Sequence, residues 1–267
     1  MNIIKNIRPP AVAGMFYPGN TSELNMHIRA YLGSDTYTGT RTPKVLIVPH
    51  AGTVYSGAIA AAVYRTLIPF KNTIKKVVLL GPAHQVHVNG LALPTMDQFQ
   101  TPLANVNLDK PVIMKLVADF SQVCYSDRAH QEEHSLEVQL PFLQSVLSDF
   151  SLIPFVVGDA SDIEVADVIE SLWGGPESLI IISTDLSHFH NYEDARNLDS
   201  QTADQIEAFN GDALADQSAC GRIPLRGLLR VARQKQMTIE RFDLRNSGDT
   251  AGRRDQVVGY GSWGLFE

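Results

Sequence analysis

The sequence predicts an α/β fold, a single domain whose central mixed, largely parallel sheet is flanked by helices. Short continuous apolar runs rich in Val and Ile, at 45–48, 76–80 and 178–183, have the composition of strands buried on both faces. Longer helix-period stretches alternate with them, the order expected of crossover units feeding parallel strands. No Ser/Gly/Pro-rich linker, charge run or internal repeat divides the 267 residues. One α/β domain can fill that length, so 1–267 is taken as one unit.

In chain order, a helix starts near Thr21 and is followed by a polar, exposed loop over 33–43. Strand 45–48 passes through the turn Pro49-His50-Ala51-Gly52 into a helix over 57–67. Strand 76–80 ends in the loop Gly81-Pro82-Ala83-His84. Residues 97–107 look irregular, and 111–120 form a helix with proline in its first turn, where the missing N–H costs nothing. A helix over 136–147 contains Pro141, which must kink it or mark its true start. Strand 151–157, helix 161–173, strand 178–183, helices near 194–209 and 223–235, and strands near 238–244 and 256–263 complete the pattern.

The composition excludes several functions. With 22 basic residues against 29 acidic, a net charge of -7 and no Lys/Arg block, there is no phosphate-tracking stripe for nucleic acid. The longest apolar runs fall far short of the roughly 18 residues of a membrane span. The first ten residues lack the apolar core of a secretory signal, so a cytoplasmic location is expected. Cys124 and Cys220 form neither a disulfide framework nor a C-x-x-C pair, which excludes a zinc finger or thioredoxin-type function.

Chemistry is expected beyond the carboxyl ends of the strands. There the first strand delivers His50, the second His84, and the 178–183 strand Asp185 with His188 three residues on. A lone histidine at a strand end is ordinarily structural, and the coincidence of three strands is what points to function. Two imidazoles and a carboxylate suit an open metal site. Acid/base catalysis by His188 and Asp185 is the other reading. A Ser-His-Asp arrangement using Ser183 or Ser187 has little support, since no G-x-S-x-G elbow is present. The patch 127–137 carries His130 and His134 but not H-E-x-x-H. It reads either as a solvated helix start with Glu132, Glu133 and Ser135 in its first turn, or as a segment that puts His134 into the pocket. His27, His87 and His190 read as surface or structural, and neither tight turn matches a phosphate loop or G-x-G-x-x-G.

The motifs Pro9-Pro10-Ala11-Val12-Ala13-Gly14-Met15-Phe16-Tyr17-Pro18, Val48-Pro49-His50-Ala51-Gly52 with Tyr55-Ser56-Gly57, and Leu80-Gly81-Pro82-Ala83-His84 resemble the Memo (mediator of cell motility) family. Thr101-Pro102-Leu103, Glu133-His134-Ser135-Leu136-Glu137 with Leu140-Pro141-Phe142, Ser183-Thr184-Asp185-Leu186-Ser187-His188-Phe189 and Cys220-Gly221-Arg222 follow in that family's order, from about residue 8 to the C-terminus. The resemblance implies a fold similar to class III extradiol dioxygenases, whose sheet holds a non-haem iron between two histidines and a carboxylate. It implies that His50 and His84 bind metal, that Asp185 is the pocket acid, and that His188 stands where the dioxygenase general base does.

Two departures bear on this. Animal members supply a third ligand, a cysteine near the C-terminus, and that point falls on Thr250. Neither cysteine of this chain is expected to take its place, so Asp249 is expected to, giving a two-histidine, one-carboxylate set that favours Fe(II) over copper. Otherwise Asp249 only forms an Asx-turn. Thr53 stands where the family commonly has tyrosine, which removes one aromatic wall. Glu133, His134, Tyr55 and Thr250 are further pocket candidates.

The function expected is metal-dependent redox chemistry on a small molecule, with iron as the metal and zinc or copper as alternatives. A zinc hydrolase set is chemically open too. The second reading is a non-catalytic binding or adaptor protein that holds a peptide or protein in the same cleft. The resemblance also implies association with a radical S-adenosylmethionine enzyme system, which no residue tests.

Overall fold

A computed structural model describes residues 6–33, 37, 39 and 41–267. The reading of the N-terminus falls partly on residues 1–5 and that of the polar loop partly on 34–36, 38 and 40, which lie outside the described residues. The chain begins with β1 (Ile7–Arg8) and α1 (Thr21–Leu32), the latter capped by the Asn20 side chain. Then come β2 (Val45–Val48), α2 (Thr53–Tyr64), β3 (Lys76–Pro82), β4 (Leu91–Leu93), β5 (Gln98–Gln100) and β6 (Asn105–Asn107). After α3 (Lys110–Asp119), β7 (Val123–Tyr125) and α4 (Asp127–Gln131) follow α5 (Leu140–Val146), β8 (Ser151–Val157) and α6 (Asp162–Ser171). The last third holds β9 (Ser178–Ser183), β10 (His188–His190), α7 (Tyr192–Glu207), α8 (Arg222–Gln234), β11 (Thr238–Asn246) and β12 (Val257–Phe266).

A nine-stranded sheet runs in the order β10-β12-β2-β9-β3-β8-β4-β7, with β11 paired to β12. Its centre is parallel: β2 with β9, β9 with β3, and β3 with β8. Antiparallel β12 and β4 extend it on either side, so the sheet is mixed and largely parallel, as the sequence predicts. The central strands are buried throughout, which is why they read as unbroken apolar runs. Helix α2 packs on α1, β11 and β12, and α6 packs on α8. Among the described residues no helix is long and apolar enough to cross a membrane.

Three local expectations are corrected. Residues 97–107 are not irregular: β5 and β6 pair antiparallel, bury Phe99 and Val106, and join β1 in a small second sheet. Their flanking Gln and Asn residues hid the alternation by lowering strand propensity. The helix expected over 136–147 covers only Leu140–Val146: of the two roles open to Pro141 it takes that of marking the start, with a short 3-10 turn (Glu137–Gln139) before it. Helix α2 starts at Thr53 and not at residue 57, on an N-cap glycine, with the Thr53 hydroxyl donating to the Phe16 carbonyl.

Candidate metal centre

Because β2, β9 and β3 are adjacent and parallel, their carboxyl ends lie side by side. His50, Asp185 and His84 each follow the end of one of these strands and so meet at one edge of the sheet. The His50 and His84 rings lie 5.2 Å apart, centroid to centroid. The buried Asp185 carboxylate accepts the His50 backbone N–H at 2.7 Å, tying two strand ends together.

A fourth segment closes over this edge. A Cβ on Gly81 would lie 2.7 Å from Ser135 Oγ, so a glycine lets the 133–136 loop settle on the end of β3. Glu133, only 2% exposed, accepts the His84 backbone N–H (2.7 Å), His84 Nδ1 (2.8 Å) and the Ser135 N–H (2.9 Å). Burial pushes the Glu133 carboxyl up, but these hydrogen bonds and the His84 charge outweigh it and hold it at about 2. An ionised carboxylate only accepts, so His84 Nδ1 carries a proton and Nε2 is the nitrogen left to face a metal. Glu133 and Ser135 are buried while Glu132 is exposed, so of the two readings of this patch the solvated helix start fails for the former pair. His134 from the same loop stacks on His84 at 4.6 Å and lines the cleft.

A third candidate donor is Cys220, although the sequence carries no expectation that either cysteine reaches this site. Its Sγ lies 3.3 Å from His50 Nε2, and His50, His84 and Cys220 each offer a ligand atom within 4.8 Å of the others. Cys220 reaches the site because Gly221 has no side chain: a Cβ there would sit 2.6 Å from Thr184 Cβ and 2.8 Å from the Ser183 carbonyl. The Gly221 N–H donates to Thr184 Oγ1, and Cys220 and Asp185 exchange backbone contacts, the Asp185 N–H reaching Sγ at 3.3 Å. Asp249 is not brought to this cluster. Its carboxylate accepts the Tyr192 hydroxyl and the Asn246 N–H, capping a short 3-10 turn, and Thr250 Oγ1 donates to the Ser247 carbonyl. The visible signal for Cys220 was Cys-Gly directly before a helix, but nothing local places it beside His50, 170 positions away.

Tetrahedral bonds of about 2.3 Å to sulfur and about 2.0 Å to nitrogen put S and N about 3.5 Å apart. The observed 3.3 Å fits, as does a set of two lone-pair nitrogens and a thiol. A second group, His84, Glu133 and His134, also lies within ligand distance. It shares His84, and its carboxylate already accepts three N–H donors, an arrangement suited to orienting His84.

His134 and Asp185, which touch His84 and His50, line a cavity of about 680 Å³ together with Phe16, Tyr55, Arg253 and Tyr260 among others. These aromatic side chains supply walls despite Thr53. His188 is half-buried at the start of β10, near enough for its charge to act on both His50 and Asp185. Burial, partly opposed by the His50 N–H and the His188 charge, raises the Asp185 carboxyl.

Burial holds His50 well below its usual value, aided by the charges of His84 and His134, and it lowers His134 as well. Buried His130, which contacts the Ala92 carbonyl, is held at about 4. For each of these the unfolded chain takes up a proton at a higher pH than the folded one, so stability is lost as pH falls below about 6.5. His130 alone should cost about 3 kcal/mol between pH 7 and pH 4. Urea unfolding of metal-free protein across that range should show a falling midpoint, and a flat one would contradict the buried neutral histidines.

A family model described as Memo-like protein matches residues 8–263. A MEMO1 family protein of Methanobrevibacter smithii is 33% identical over 285 residues, covering 98% of this chain and 100% of its own. One from Aquifex aeolicus is 35% identical over 269 residues, covering 95% of this chain and 97% of its own. The crystal structure of an uncharacterized Escherichia coli K12 protein matches 85% of this chain and 100% of its own with a TM-score of 0.58 at 11% identity, a likeness of fold alone.

Proposed function

The chain belongs to the Memo-like protein family, and from that premise we propose that it holds one non-haem metal ion, iron, at His50, His84 and Cys220 for redox chemistry on a small molecule in the adjoining cleft. The observation that carries this reading is the convergence of three donors from separate chain segments within ligand distance of one another, beside Asp185 and His134, which line a cavity. An iron ion there would supply vacant coordination positions and one-electron chemistry. With a thiol in the set, the argument against copper from a hard carboxylate is lost, since soft sulfur suits Cu(I) and zinc as well. Iron is proposed because an open site beside an acid/base pair is what a reductant and dioxygen require.

The protein's own groups take the remaining roles. Phe16, Tyr55 and Tyr260 flank the space for a flat, partly apolar substrate. Burial, reinforced by the Asp185 charge, raises the Tyr260 hydroxyl, which stays protonated and can donate a hydrogen bond. His188 is placed to take or return a proton, and Asp185 shares the charge that develops on it.

Protein purified anaerobically, without chelator or tag nickel, should carry near-stoichiometric iron by elemental analysis, and the His50→Ala/His84→Ala double variant should carry none. Zinc in its place would shift the reading to hydrolysis. No metal, even after adding Fe(II), would leave a binding module that uses the cleft for a peptide or protein. His188→Ala should keep its iron and lose dioxygen uptake with catechols or other reductants by about 100-fold or more. Unchanged uptake would remove His188 from the chemistry.

A further inference from the structure

Ser183 ends β9 directly beneath the metal centre, wholly buried, and its hydroxyl meets three groups. Ser183 Oγ lies 2.6 Å from the Ser135 carbonyl oxygen, 2.8 Å from Gln139 Nε2 and 2.9 Å from His50 Nδ1. A carbonyl only accepts, so the single hydroxyl proton goes to Ser135. The Gln139 amide is oriented independently of Ser183. Its nitrogen donates to the Pro49 carbonyl at 3.0 Å, and its oxygen accepts the Tyr64 hydroxyl at 2.8 Å. The flipped amide would set oxygen against oxygen at Pro49. Gln139 Nε2 therefore donates to Ser183, one lone pair of Oγ remains, and His50 Nδ1 must donate into it.

We infer that the chain Tyr64, Gln139 and Ser183 is a positioning device that fixes His50 as its Nδ1–H tautomer and so turns the Nε2 lone pair toward Cys220 and the metal. The tautomer follows from hydrogen-bond counting alone, while its purpose rests on the proposed metal site. Tyr64, Gln139 and Ser183 are wholly buried and His50 is 2% exposed, so no bulk water can replace a lost partner. Tyr64 is itself held by stacking on Phe142 at 5.1 Å. The two histidines reach the same tautomer by different means, His84 through a carboxylate and His50 through a neutral hydroxyl. Only the hydroxyl can reverse its donor role, so the Ser135 carbonyl that takes its proton, together with the Gln139 amide that fills one of its lone pairs, makes the choice for His50.

The test is long-range ¹⁵N NMR of the metal-free full chain, labelled at histidine, together with Co(II) titration. Wild-type His50 is expected as Nδ1–H. In Ser183→Ala the Nε2–H form should become populated and Co(II) affinity should fall 10–100-fold. Ser183→Thr, which restores a hydroxyl, should recover both. Tyr64→Phe probes the far end of the relay without touching the site, and should move the tautomer in the same direction by less. Wild-type His50 in the Nε2–H form would overturn the inference with no variant needed. So would a Ser183→Ala protein whose tautomer and Co(II) affinity, within twofold, match wild type. Nδ1–H at His50 in a wild-type protein that takes up no Co(II) would instead sink the metal site while leaving the relay's effect on the tautomer standing.

Discussion

Replacing Cys220 by alanine is expected to lower Co(II) affinity by more than about 100-fold, beyond the 10–100-fold typical of losing an outer partner of a ligand. It should also abolish the thiolate-to-cobalt charge-transfer band. The thiol stands 3.3 Å from His50 Nε2, and with it gone only two nitrogens remain. Burial, reinforced by the Asp185 charge, pushes the free thiol up to about 12, so it is protonated before metal arrives. Uptake at neutral pH must then release that proton, and calorimetry in buffers of different ionisation enthalpy should detect it. Affinity should accordingly rise with pH. Asp249→Ala is the matched control and should leave metal binding unchanged. If Asp249→Ala loses the metal and Cys220→Ala keeps it, the carboxylate expected from sequence is the ligand after all.

The largest stability effect is expected at Glu137, which is wholly buried against Arg8, itself 1% exposed. Glu137 Oε2 takes Arg8 Nη1 at 2.5 Å and the Ala11 N–H at 2.7 Å. Its Oε1 takes the Val12 N–H and the Tyr17 hydroxyl. Arg8 in turn donates to the carbonyls of His130 and Glu133 and lies over the Phe99 ring. This one pair therefore clamps the 8–17 segment, which carries Phe16, onto the loop that carries Glu133 and His134. Glu137→Ala strands a buried guanidinium and several N–H donors, and should cost about 3–5 kcal/mol. In a chain of this size that lowers Tm by about 10 °C. A loss under about 1 kcal/mol in urea unfolding would show that the pair is dispensable. Glu137→Gln keeps one acceptor oxygen and should fall between the two.

The legible parts of the fold were those where local pattern and tertiary role agree. Strands 45–48, 151–157 and 178–183 carry their burial in their composition, because a parallel strand covered on both faces tolerates only apolar residues. The two- and three-residue strands β1, β4, β7 and β10 are too short to show a period, and β5 and β6 are masked by Gln and Asn. Glu133 could be read as surface charge, because a sequence shows a carboxylate without the donors that come to meet it.

By itself the sequence determined the α/β class, the central strands, and the placing of His50, His84 and Asp185 just past strand ends, since period and strand length are local properties. The tertiary structure decided that those ends are neighbours, through the order β2-β9-β3, and brought Cys220 rather than residue 249 within ligand distance of His50 and His84. That choice depends on a close approach permitted by Gly221 and on the Asn246 cap and Tyr192 contact that occupy Asp249. Contacts between segments so far apart in the chain are set by sheet order and packing, and no local period records them.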